Sequence, residues 1–75
     1  MHHAEIFCLL MKRNVTMVSI ARQEDVSPSV VTEVIRGKKT SFAVATAIAV
    51  KVDRSLTTLW PGKYDHRISD ESKAA

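Results

Sequence analysis

Apolar residues recur along this chain at three- and four-residue spacings, and each run is closed by a residue that stops a helix. Ile6, Leu9 and Leu10 predict a first helix over about 3–13. Lys12 and Arg13 suit its negative end, and Asn14 can take the left-handed conformation that follows. Thr16 is a natural N-cap for a second helix over about 17–24, with Ile20 and Ala21 facing the core and a turn at Asp25 and Val26. Ser27 followed by Pro28 marks a third start, because proline at the first helical position lacks only an N–H that had no partner. That helix runs to about Arg36 on the stripe Val31, Val34 and Ile35, and Gly37 ends it. Ser41 caps a fourth helix over about 42–52, with Phe42, Ala45, Ile48, Ala49 and Val52 inward. After a turn at Asp53 and Arg54, Ser55 caps a short fifth helix over 56–60, stopped by Pro61 and Gly62. The pattern predicts an all-α, compact five-helix domain over residues 1–64. Residues 65–75, polar and without periodicity, are expected to form a disordered tail.

The stretch "ARQEDVSPSVVTEVIRGKK" (21–39) breaks a helix after two turns and restarts it within three residues. Two short helices joined so closely cross at a steep angle, and the small Ala21 lets them approach. The second of the pair begins with small polar residues, as a helix entering the DNA major groove N-terminus first requires. The break therefore reads as a helix-turn-helix.

"VTMVSIARQEDVSPSVVTEVIRGKKT" resembles the helix-turn-helix of the lambda-repressor-like class, the Cro/C1 and XRE regulators. That pattern has a Thr cap, Leu/Ile-Ala, a small turn residue, Val-Ser, an apolar position and a basic-flanked Gly. Here these are Thr16, Ile20 and Ala21, Asp25, Val26 and Ser27, Val31, and Gly37. "AVATAIAVKVDRSLTTLW" is similar to the class's fourth and fifth helices, so the resemblance covers about residues 4–61. "SIARQEDVSPSVV" followed by "LWPGKY" further resembles the Ner-like phage regulators. Two positions depart from the class. Asp25 stands where glycine is usual, and Ile35 where many relatives carry a polar or acidic residue that pairs with the first helix.

With Val31, Val34 and Ile35 inward, Pro28, Ser29, Thr32, Glu33 and Arg36 fall on the outer face of the third helix. Pro28, Ser29, Thr32 and Glu33 are candidates for base contacts: hydroxyls read degenerately, a Thr methyl touches a thymine methyl, and Glu accepts from cytosine N4. The plain alternative is a solvated helix face, with Glu33 paired to Arg36 one turn on. Arg36, Lys38, Lys39, Thr40 and Ser41 combine cations, hydroxyls and a helix start, which suit phosphate oxygens. Thr16 and Met17 are candidates for the opposite strand's phosphates, with Arg22 beside them or simply exposed. Met17, Val18 and Val30 fall off the main stripes and read as peripheral packing, with thymine methyls as the other use for Met17 and Val30. Leu59 and Trp60 read first as core; the resemblance also implies dimerisation there, through Leu59, an exposed part of Trp60, and Tyr64.

The net charge is +3, and residues 1–64 hold nine Lys/Arg against five Asp/Glu, so a polyanion partner fits. The lone cysteine, Cys8, excludes an internal disulfide framework, suits a reducing cytoplasm and reads as a small buried hydrophobe among Ile6, Phe7, Leu9 and Leu10. The longest apolar run, Ile6 to Met11, is too short to span a bilayer and lacks a cleavage site, so neither a membrane segment nor a signal peptide is expected. His2, His3 and His66 lack metal-ligand spacing and read as solvated. No glycine-rich phosphate loop or catalytic constellation stands in the chain, so no enzyme, cofactor or small-molecule ligand is expected. The resulting expectation is a cytoplasmic, phage-type repressor binding double-stranded DNA as a homodimer on a palindromic operator. A protein-interaction module such as an antitoxin or adaptor on the same fold is the alternative, weakened by a tail of only about eleven residues after Tyr64.

Overall fold

The computed structural model describes residues 1–64, so the expected tail at 65–75, with His66, lies outside the described residues. Five helices follow one another and no strand occurs among the described residues: α1 (His3–Lys12), α2 (Met17–Glu24), α3 (Pro28–Ile35), α4 (Phe42–Val52) and α5 (Leu56–Leu59). The all-α, five-helix expectation holds, with α1, α3 and α5 each one residue shorter than the sequence suggested.

The starts follow from local chemistry. Thr16 accepts from Ser19 N–H, Ser27 from Val30 N–H, Ser41 from Val44 N–H and Ser55 from Thr58 N–H, so all four expected hydroxyl caps are in place. Each satisfies one backbone donor that the first turn would leave unpaired. α1 starts differently: the His2 ring nitrogen accepts from Ala4 N–H at 3.1 Å. The ends follow from positive φ. Asn14 (58°), Asp25 (56°) and Asp53 (54°) turn the chain out of α1, α2 and α4, and Gly37 (80°) does so after α3.

α2 packs on α3, and both lie against α4. Ile20 and Ala21, 0 and 2% exposed, are the residues that α2 buries. The core is Ile6, Leu10, Ile20, Val31, Val34, Ile35, Val44, Ile48, Val52 and Leu59, closed by Trp60 and Tyr64. Ile35 is 1% exposed, which explains why no charged residue stands at that position: its side chain completes the core.

Three expectations are corrected. Cys8 is exposed; Ile6 and Leu10 take the buried face of α1, and a residue two positions from each points the other way. His3 is half-buried, its ring edge-on to Phe7 at 6.3 Å, so it is not simply solvated. The buried face of α4 is wider than expected, taking in Val44 and Ala47 while Phe42 stays half-buried.

Candidate nucleic-acid interface

The first turn of α3 is open. Pro28 and Ser29 are exposed, and Thr32 and Glu33 follow them half-buried on the same outer face. The Thr32 hydroxyl donates to Pro28 O at 3.2 Å, so its donor is spent and its methyl and lone pairs remain. The Glu33 carboxylate lies 3.9 Å from Lys39 Nζ, not beside Arg36 as the one-turn spacing suggested. Lys39 comes within reach because the chain doubles back: Lys38 and Lys39 both donate their backbone N–H to Glu33 O. With both side chains about half exposed, such a pair is worth only about 0–1 kcal/mol, and a stronger partner can part it.

Arg36, Lys38, Lys39 and Thr40 are exposed together around Gly37, between the end of α3 and the start of α4. Ser41 is less available. Its hydroxyl caps Val44 N–H, and its own N–H donates to Tyr64 Oη at 3.4 Å. His3 lies close enough to Arg36 and Lys38 to feel both. Desolvation first, then repulsion from His2, Arg36 and Lys38, holds its imidazole below the ordinary 6.5. Thr16 is exposed at the start of α2; Met17 and Val30 are half-buried against the core, and Val18 is 46% exposed.

Leu59, Trp60 and Tyr64 are 0, 6 and 3% exposed, so the exposed part of Trp60 expected beside Tyr64 is not found; their packing encloses these side chains within one copy. One contributor escapes the sequence reading. Lys63 Nζ donates to Gly37 O at 2.7 Å, bringing a further cation to the turn. A separation of 26 residues follows no helical period, so only its place inside "WPGKY" could have drawn notice.

Among the described residues, no group of three or more His, Cys, Asp or Glu could hold a metal ion, and no helix is long and apolar enough to cross a membrane. Shallow grooves flank the outer side of α4, around Thr46 and Val50, away from α3.

What the arrangement offers is a short, well-capped helix with its N-terminal turn open and cations at its far end. The family model described as winged helix-turn-helix DNA-binding matches residues 1–74. No strand that could form a wing occurs among the described residues. Comparison with curated proteins and with solved structures gives no match. The match spans nearly the whole chain and agrees with the packing of α2 on α3: the chain belongs to the winged helix-turn-helix DNA-binding family.

Proposed function

We propose that this protein is a sequence-specific transcriptional regulator of lambda-repressor-like layout, akin to the Ner-like phage repressors, that lays α3 in the major groove. Ser29, Thr32 and Glu33 meet base edges beside Pro28. Arg36, Lys38, Lys39, Thr40 and Ser41 hold one phosphate strand, and Thr16 and Met17 the other. The observation that carries this reading is the open first turn of α3 with exposed cations just beyond its end. Residues 1–64 form the binding unit, and two copies bind a palindromic operator and repress by excluding polymerase. Their contact is assigned to the end of the molecule bearing Leu59, Trp60 and Tyr64. Because one copy encloses those side chains, the seam runs through exposed neighbours such as Pro61 and Gly62.

Glu33 gives the sharpest test. A carboxylate among phosphates is repelled, so it needs a donor on the DNA. If that donor is a cytosine amino group, Glu33→Ala costs about 1–3 kcal/mol on the preferred site and relaxes one base pair per half-site. Binding to random duplexes tightens meanwhile, because one negative charge is gone and Lys39 is released. The quantity to measure is the ratio of affinities for preferred and random duplexes at one salt concentration. A ratio that does not fall in the variant rules Glu33 out as a base reader.

A further inference from the structure

The segment Trp60 to Tyr64 touches the turn between α3 and α4 at three points. Trp60 Nε1 donates to Ile35 O at 3.2 Å in a buried site. Lys63 Nζ donates to Gly37 O at 2.7 Å. Tyr64 Oη accepts from Ser41 N–H at 3.4 Å. Ile35 O and Gly37 O lie at the C-terminal end of α3, where carbonyls lack helical partners, and Ser41 is the N-cap of α4. Between the anchored positions stand Lys38, Lys39 and Thr40, all exposed.

The anchors are themselves fixed. The Tyr64 ring is 3% exposed and packs edge-on to Trp60 at 5.5 Å and against Phe42, the first residue of α4, at 6.3 Å. Its hydroxyl is therefore placed by ring packing and can hold Ser41 in turn. Gly37, at φ 80° and with no side chain to restrict its backbone, is where Lys63 binds.

We propose that Trp60–Tyr64 is a clamp that presets the α3–α4 turn for phosphate contact, with Tyr64 and Lys63 as positioning residues. This rests on the reading of Arg36, Lys38 and Lys39 as phosphate ligands. A clamped turn keeps Arg36, Lys38 and Lys39 placed to engage phosphates together, whereas a loose turn leaves some of those phosphates unengaged, so the clamp is read in the number of phosphate contacts. Lys63 also keeps a positive charge beside the turn while its stem spans from the end of the fold to Gly37.

The test is the salt dependence of binding to a random-sequence DNA duplex by the full chain. Tyr64→Phe removes one oxygen and no charge. The clamp predicts that the log–log slope nevertheless flattens by about 0.9 for each phosphate the turn no longer engages, in protein that circular dichroism shows to be folded. A purely structural role for the hydroxyl lowers the melting temperature and leaves the slope of the folded protein unchanged, and that result overturns the clamp. Lys38→Ala with Lys39→Ala separates the two levels. A flattened slope in that variant with none in Tyr64→Phe overturns the clamp alone; an unchanged slope in both overturns the phosphate reading as well. Lys63→Gln, at an exposed position, is a second route should Tyr64→Phe not fold. The charge of Lys63 itself accounts for at most one phosphate, so a flattening beyond about 0.9 supports the clamp and a smaller one overturns it.

Discussion

Asp25 and Gly37 bracket α3, and both hold a left-handed backbone. The conformation suits glycine and costs other residues about 1–2 kcal/mol, with Asp and Asn among the more tolerant. Gly37→Ala should therefore destabilise by about 1–2 kcal/mol, although an added Cβ would meet nothing nearer than Lys63 Nζ at 4.0 Å. A chain of this size translates each kcal/mol into a melting-point fall of about 4–8 °C, measurable by circular dichroism; an unchanged melting point would show that the turn readily adopts another path. Tyr64 gives a prediction in pH. Burial raises its phenol above 10.0, against the opposing hydrogen bond from Ser41 N–H. The folded protein then holds the proton longer than the unfolded chain does, so this contribution to stability is present below pH 10.0 and is lost as pH rises through the folded value. Melting temperatures from about pH 9 to 11 should fall more steeply in the wild type than in Tyr64→Phe, and parallel curves would contradict it. At this scale the sequence is largely readable. Thr16, Ser27, Ser41 and Ser55 cap by bonds to residues three positions on, and such bonds are written in local spacing. Cys8 misleads because apolar neighbours in sequence are not neighbours on a helix face.

For the elements, amphipathic spacing locates α2 and α3 and their buried stripes, since each helix has a polar side to contrast with Ile20 and Ala21 or with Val31, Val34 and Ile35. α4 is harder to read, because it is apolar on nearly every side: Val44 and Ala47 are buried, while Val50 is 73% exposed. Periodicity cannot orient such a helix; only its neighbours can. Ala21 is buried on α2, the helix that packs on α3. Ala21→Leu should overpack that contact and cost about 1–3 kcal/mol, and by swinging α3 it should weaken DNA binding even where the protein is still folded. Full binding by a folded Ala21→Leu protein would mean that the angle between the two helices does not set recognition. Ser27→Ala removes the cap of α3 and should cost about 0.5–2 kcal/mol, read as a lower midpoint in urea.

For the whole molecule, the fold class is legible and the outer face of α3 can be derived, but the links that tie the end of the fold to the turn between α3 and α4 cannot. Trp60 to Ile35, Lys63 to Gly37 and Tyr64 to Ser41 span 25, 26 and 23 residues. No period connects such positions; they meet because α4 and α5 return the chain to the end of α3. The same return explains why Leu59, Trp60 and Tyr64 are enclosed in one copy rather than left open. The central claim is that α3 reads sequence, and selection of bound duplexes from a random DNA pool tests it most directly. The account predicts enrichment of a palindrome whose half-site centres lie about 34 Å apart, one turn of the double helix. Recovery of bound DNA with no preferred sequence would contradict it.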